Sequence, residues 1–206
     1  MQILLHPTYF PSITQMVTVA QAKGVVFEVE DNYQKQTYRN RTHIAHSNGK
    51  LALHIPIKHA KNGERQKTKE VQIENSFPWQ SLHWKSLQTA YRTSPFFEYY
   101  EDDLEIVFKN PVTNLMDHNL HIFNIICELI GLEIPITKTT EYFKNPEQKD
   151  LRYLVNAKKE AHVSLLPYTQ VLQGNRGFLN NLSVLDLLFN EGPNTMHYLE
   201  KQNLFL

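Results

Sequence analysis

The sequence predicts an α/β fold: a single domain with an N-terminal βαβ unit and a β-hairpin in a mixed sheet, flanked by helices. An apolar run, a helical pattern and a second apolar run follow one another within about the first 30 residues, which is typical of a βαβ unit. An Asn-Gly pair at 48–49 then separates two extended segments, which indicates a hairpin. The 206 residues contain no repeat or low-complexity tract, so we expect one domain over 1–206.

The first two strands are predicted at "MQILL" and "VVFEVED", with a helix between them at "PSITQMVTVAQAKG". Ser12 fits the N-cap position of this helix, and Gly24 fits its C-terminal end. Because a crossover helix joins two strands in parallel, we expect a parallel sheet at the start of the chain.

The hairpin is predicted in "THIAHSNGKLALHIPIK", where apolar residues alternate along the second strand. Pro56 lacks an amide donor, so this strand should lie at an edge or beside a bulge there. The following segment "HAKNGERQKTK" is expected to be a solvated loop, and "EVQIE" a short strand.

Apolar residues recur at helical spacing in the second part of the chain. One helix is expected from Ser76 to the break at Pro95, and a largely buried one from Leu115 to Ile130. The stretch "SPFFEYYEDDLEIVF" is interpreted as core aromatic residues and a helix end. The remaining elements are an extended segment at 132–143, a helix at 146–160, a strand at 161–168 and a closing helix at 182–192 capped by Ser183.

Composition excludes several classes of protein. Lys and Arg together number 21, as do Asp and Glu, so binding to nucleic acid or an anionic membrane would require a local patch. The single cysteine, Cys127, lies in an apolar run and fits a buried residue in a reducing compartment. No apolar stretch is long enough to span a membrane, and the N-terminus lacks the features of a signal peptide. We therefore expect a cytoplasmic protein without membrane insertion.

The stretch "YQKQTYRNR" at 33–41 combines tyrosines, cations and amides with no aliphatic residue. It follows the second predicted strand, and ligands of open α/β sheets bind beyond the carboxyl ends of the strands. Lys35, Arg39 and Arg41 could bind a phosphate or carboxylate, and the two arginines should point the same way while Asn40 points oppositely. The alternative is a solvated polar loop.

His83 lies on the apolar face of the helix predicted from Ser76. Burial favours the neutral imidazole, which can act as a general base, although a core histidine with one hydrogen bond is the alternative. Trp84 and Tyr91 fall on an adjacent face and suit either core packing or substrate contact. His118 and His121 lie three residues apart on a helix, a spacing that could bind zinc. The sequence indicates no third ligand nearby, so neither a metal nor a cofactor is expected. The acids between Glu98 and Asp103 could serve sugar chemistry, but core aromatics beside a helix end are the preferred interpretation of this stretch.

Several of these stretches together resemble the WbqC-like family: "PTYFPSI", "DNYQKQTYRNRTHI", "NGKLALHIPIK", "HWKSLQTAYRTSPFFEYY" and "GFLNNLSVLDLLFNEG". The family occurs among bacterial polysaccharide and O-antigen gene clusters. The resemblance implies an α/β transferase that moves glycine or a similar acyl group onto an amino sugar. Many relatives have glutamine at the position of His6.

Residues and resemblance together define a candidate site. His83 would deprotonate an attacking amine or hydroxyl, while Asn40 or Gln34 would orient the acceptor or stabilise an oxyanion. The substrate would be a small molecule or sugar with an anionic group. The candidate substrate-binding residues are Tyr9, Gln34, Lys35, Tyr38, Arg39, Arg41, Lys58, Trp84 and Tyr91.

Two other functions remain open from the sequence. "LLHPTYFPSI" loosely resembles the strand-to-helix turn of nucleotidyltransferases, although Tyr9 occupies a position close to where their second histidine is expected. A non-catalytic module could instead bind an anionic glycan or tRNA through a patch of Lys35, Arg39, Arg41, Lys58 and Lys61. An aminoacyl-tRNA would suit a glycyl donor, but nothing in the sequence requires it, and the oligomeric state is not indicated.

Overall fold

The computed structural model describes residues 1–58, 65–159, 161, 163–174 and 177–204. The strands within these ranges are β1 (Gln2–Leu5), β2 (Gly24–Phe27), β3 (Arg41–His46), β4 (Gly49–His54), β5 (Ile136–Lys138) and β6 (Lys149–Asp150). The α-helices are α1 (Ile13–Ala20), α2 (Trp79–Tyr91), α3 (Phe97–Lys109), α4 (Leu115–Leu129), α5 (Val184–Glu191) and α6 (Thr195–Lys201).

The predicted βαβ unit is confirmed. β1 and β2 pair in parallel, and α1 crosses between them. Ser12 caps α1, because its hydroxyl accepts a hydrogen bond from the backbone N–H of Gln15. The prediction that Gly24 ends this helix is wrong: Gln21 is the C-cap, and Gly24 is the first residue of β2.

The parallel sheet has the strand order β5-β2-β1-β6. Across the sheet, these are the third, second, first and fourth parallel strands in chain order. Doubly wound sheets have the same strand order. The chain therefore leaves β1 towards one side and later returns to its other side, so the carboxyl ends of β1 and β6 flank the switch point. Ligands of open parallel sheets bind in the crevice at this point.

The hairpin forms a second sheet of β3 and β4, so the parallel and antiparallel strands of this α/β fold form two separate sheets within the described ranges. Gly49 begins β4 with a φ of 113°, a left-handed conformation that favours glycine. β4 ends at His54, two residues before Pro56, as the missing amide donor predicts.

The segment between the hairpin and α2 differs from the prediction. Residues 70–74 form no continuous strand; single bridges join Ile57 to Ile73 and Gln72 to Asn114 instead. Within the predicted solvated loop, residues 59–64 lie outside the described part of the chain, and a 3-10 turn follows at Thr68–Glu70.

The C-terminal half contains the other errors of prediction. The segment at 146–160 is not a helix: β6 pairs with β1, and a 3-10 turn at Arg152–Val155 follows. Residues 161–168 contain no strand where they are described. The stretch taken as a helix end is the full helix α3, and α6 follows the confirmed closing helix α5.

One cluster of buried side chains joins both sheets and the helices into one domain. Cys127 of α4 is buried in this core, and burial raises the pKa of its thiol to about 12, which suits a structural residue. Among the described residues, none of the helices has the length and hydrophobicity needed to cross a membrane.

Candidate functional site

A cavity of about 630 Å³ lies at the carboxyl ends of the parallel strands. His6 follows β1, Glu30 and Asp31 follow β2, and Asp150 ends β6, so three strands each place side chains in its wall. This is the position that the strand order indicates for a ligand. The other lining residues are Asn32, Gln34, Lys67, Tyr142, Lys144, Arg152, Tyr153, Val155 and Asn156.

Three buried side chains form the floor of the cavity, namely His6, Asp31 and Arg39. Arg39 Nη2 donates a hydrogen bond of 2.6 Å to Asp31 Oδ2, and His6 Nε2 lies 3.7 Å from the same oxygen. Burial, together with the charges of Arg39 and Arg152, holds the pKa of His6 well below its usual value. His6 is therefore a neutral imidazole beside a carboxylate at neutral pH.

Several polar atoms of this floor have no hydrogen-bond partner among the described residues. They are His6 Nδ1, Asp31 Oδ1, Arg39 Nε and Arg39 Nη1, and all four are buried. A buried polar atom without a partner costs free energy, so such atoms in a native protein indicate a water or ligand that completes them. These four atoms lie at or beside the cavity, whereas others without a partner, such as both ring nitrogens of His118, lie in the buried core.

Arg152 fixes one wall of the cavity. Its Nε and Nη2 donate to the two carboxylate oxygens of Asp150 at 2.9 and 2.6 Å, while Nη1 donates to the carbonyl of Phe143 at 2.9 Å. Nη1 also lies 3.3 Å from the buried carboxylate of Glu28. The hydrogen bonds with Asp150 raise the pKa of Arg152 and lower that of Asp150, so this pair stays ionised.

The β1–α1 turn positions His6. Gln15 of α1 donates to the His6 carbonyl at 3.0 Å and accepts from the Thr8 hydroxyl at 2.8 Å. Phe10, in the same turn, has a φ of 42°, and its carbonyl accepts a hydrogen bond from the hydroxyl of Thr42. Side chains from two other elements thus stabilise a strained turn directly beside the cavity.

The amide and cationic residues predicted to bind substrate do not lie together. Gln34 lines the cavity and Arg39 lies beneath it, but Arg39 is bound to Asp31 and fully buried. Arg41 is half-buried, and its charge, like that of Arg39, acts on the phenol of Tyr33. Lys35 and Lys58 are exposed and do not line the cavity, and Lys61 lies outside the described residues.

Four further candidates take part in packing or backbone contacts. Asn40 donates to the Ile55 carbonyl at 2.9 Å, and the buried Tyr38 lies 3.3 Å from His43 Nδ1. Trp84 stacks with the rings of Phe97 and Phe108, and the Tyr91 hydroxyl donates to Asp186. None of the four lines the cavity, so any substrate contact by them stays a prediction.

His83 lies in a separate buried cluster with Tyr9, Trp79 and His118. The Tyr9 hydroxyl and His83 Nδ1 are 2.9 Å apart, and the ring of His118 stacks on Tyr9. Burial lowers the pKa of both His83 and His118 to about 4. His83, Arg39 and Arg41 do not line the 630 Å³ cavity, so their predicted meeting in one hollow stays a prediction.

This cluster should make the protein sensitive to acid. Both native pKa values lie below the value in the unfolded chain. As the pH falls from about 6.5 to 4, the unfolded chain therefore binds protons that the native protein does not, and the free energy of unfolding decreases. We expect a loss of about 3 kcal/mol for each imidazole. His118→Phe should remove its share of the pH dependence, measured by urea unfolding at pH 7 and 4.5. His197→Gln, at an exposed site, serves as the control, and an unchanged pH dependence in His118→Phe contradicts this interpretation.

Sequence reasoning left His6 without a role and missed Asp31, Asp150 and Arg152. A local signal existed for Asp31, because it follows β2 directly, as strand-end ligands do. Asp150 and Arg152 fell in a segment predicted to be helical, so their position beside β1 could not be inferred. Among the described residues, no group of three or more His, Cys, Asp or Glu side chains could hold a metal ion.

Fold and site together define an α/β protein with a polar cavity at the switch point of its parallel sheet. A model of the WbqC-like protein family matches residues 6–166, so the chain belongs to the WbqC-like family, as its motifs indicated. The match ends before "GFLNNLSVLDLLFNEG", one of the stretches on which the resemblance was based. The chain is similar to the uncharacterized protein Rv1507c of Mycobacterium tuberculosis (strain ATCC 25618 / H37Rv), with 27% identity over 226 residues, 95% of this chain and 96% of that protein. No solved structure matches the chain.

Proposed function

We propose that this protein is a transferase of bacterial cell-envelope polysaccharide metabolism, which moves glycine or a similar acyl group onto the amino group of an anionic sugar. The observation that carries the proposal is the cavity at the switch point, with a neutral imidazole and a carboxylate on its floor. Membership of the WbqC-like family supports the choice of substrate class, whereas the role of His6 is proposed for this chain alone, because many relatives have glutamine at its position.

The charges around the cavity suit an anionic substrate. Each lining acid is already paired: Asp31 with Arg39, Asp150 with Arg152, and Glu30 with Lys69, whose ammonium lies 2.7 Å from both carboxylate oxygens. Lys67 uses one of its three donors on the Glu30 carbonyl, and Lys144 is exposed. These two lysines are the cations best placed to receive a phosphate or carboxylate of the sugar.

His6 is the general base of the proposed reaction. The amine nitrogen attacks the carbonyl carbon of an acyl ester or thioester, a C–N bond forms, and the C–O or C–S bond to the leaving group breaks. The imidazole accepts the amine proton and returns it to the departing oxygen or sulfur, while Asp31 stabilises the transient imidazolium. His83 is not assigned this role, because its Nδ1 contacts Tyr9 and it lies outside the cavity wall.

The test is amide formation by the full chain, with glucosamine 1-phosphate as acceptor and either a glycyl thioester or glycyl-tRNA as donor. Mass spectrometry should detect a gain of one glycyl group on the sugar. Failure with both donors contradicts the proposed function.

His6→Gln separates catalysis from binding. Glutamine can form hydrogen bonds but cannot take up the amine proton, so we expect kcat to fall by about 100-fold or more, with KM for the sugar little changed. Circular dichroism should show an intact fold. A variant with unaltered kcat contradicts the role of His6 as base. His46→Gln, which changes a histidine outside the cavity wall, is the control.

A further inference from the structure

Two exposed tyrosines stand at the wall of the cavity. Tyr142 is 52% exposed and Tyr153 is 48% exposed, and both line the cavity. Exposed aromatic rings beside a polar cavity offer a flat surface on which a planar ring can stack. The groups that react in the proposed acyl transfer do not require such a surface, because neither the glycyl group nor the amino group is aromatic.

Arg152 lies next to both tyrosines. Its guanidinium lies 5.0 Å from the centre of the Tyr142 ring, a cation–π contact, and Tyr153 follows it directly in the 3-10 turn. Arg152 in turn is bound to Asp150 at the end of β6. Tyr142 therefore contacts an arginine that is fixed by an ion pair, and Tyr153 adjoins that arginine in the chain, so less conformational entropy is lost when a ring stacks on them.

We propose that the cavity binds a nucleoside diphosphate, with the base stacked on Tyr142 or Tyr153 and the phosphates at Lys67 and Lys144. This inference rests on the proposed function and names its acceptor as a nucleotide-activated amino sugar. A cavity of about 630 Å³ lies within the usual range for small-molecule sites, about 300 to 1,000 Å³. The acylation therefore precedes the reaction that joins the sugar to a growing polymer, since that reaction releases the nucleotide.

Isothermal titration calorimetry on the full chain tests this inference with ADP, UDP and inorganic pyrophosphate. Pyrophosphate carries the charge of a diphosphate without a base. We expect at least one nucleoside diphosphate to bind about tenfold more tightly than pyrophosphate, as stacking of one base provides. Equal affinity for all three probes overturns the nucleotide assignment but leaves an anionic acceptor, and with it the proposed function, intact.

Substitutions of the two tyrosines test where the nucleobase stacks. Tyr142→Ala combined with Tyr153→Ala should weaken nucleoside diphosphate binding by about tenfold and leave pyrophosphate binding unchanged. Tyr99→Ala is the matched control, because Tyr99 is 74% exposed on α3 and does not line the cavity. Unchanged nucleoside diphosphate affinity in the double variant contradicts the stacking role. Binding of the nucleoside diphosphate without any amide formation would overturn the proposed function and the identity of the acceptor, but it would leave the nucleoside diphosphate site standing.

Discussion

Replacing Asp186 with alanine should lower the free energy of unfolding by about 4 kcal/mol, because it leaves the buried hydroxyls of Tyr91 and Tyr168 without an acceptor. The Asp186 carboxylate is fully buried in α5 and accepts hydrogen bonds from Tyr91 at 2.9 Å, from Gln170 at 3.0 Å and from Tyr168. The Tyr91 hydroxyl also accepts from the backbone N–H of Ala45 in β3. One carboxylate thus joins α2, α5, the hairpin and the segment at 168–170.

Urea unfolding followed by circular dichroism measures this effect. Asp103→Asn, at an exposed position of α3, is the control and should change stability by less than about 0.5 kcal/mol. Tyr168→Phe removes one donor and should cost less than Asp186→Ala. A loss below about 1 kcal/mol in Asp186→Ala would show that the network contributes little, since a single unpaired donor already costs that much.

Replacing Arg39 with methionine should destabilise the protein by about 3 to 5 kcal/mol, because it leaves the Asp31 carboxylate buried without its cation. Arg39 is fully buried and its pKa is lowered by burial, which Asp31 opposes. The sequence predicted Arg39 as a substrate-binding residue. Its pairing with Asp31 indicates that its first role is to keep the cavity floor folded.

A double-mutant cycle tests this role of Arg39. Asp31→Leu combined with Arg39→Met should recover much of the stability, because no charge is then left unpaired. Arg41→Met is the matched control: it removes a neighbouring guanidinium that is half-buried and forms no ion pair within the described residues. Similar losses in Arg39→Met and Arg41→Met, or strictly additive losses in the double variant, contradict the proposed pairing.

Local patterns were sufficient for the elements whose signals are local. The N-cap hydroxyl of Ser12, the alternation along β4 and the apolar periodicity of α4 each depend on residues a few positions apart. The segment at 146–160 shows the limit. Its composition suits a helix, but Leu151 donates its backbone N–H to the Leu4 carbonyl, and Arg152 binds Asp150 and Glu28. Pairing with a strand about 145 residues earlier outweighs a weak local preference.

The residues named from the sequence include only part of the cavity wall. "YQKQTYRNR" drew attention to the region after β2, where Gln34 lines the cavity and Arg39 is bound to Asp31. His83 was chosen because it shares a helix face with apolar residues, yet that face packs into an aromatic cluster rather than a cavity. The sequence pattern of one helix shows which residues turn inward, but not what lies opposite them.

The sequence by itself determined the α/β class, the βαβ unit, the hairpin and membership of the WbqC-like family, because these depend on short-range spacing and on motifs in a fixed order. Only the tertiary structure decided the strand order β5-β2-β1-β6, and with it which side chains share the cavity. His6, Asp31 and Asp150 come from the ends of three strands far apart in the chain. Their proximity follows from long-range backbone pairing, and no local pattern of residues encodes it.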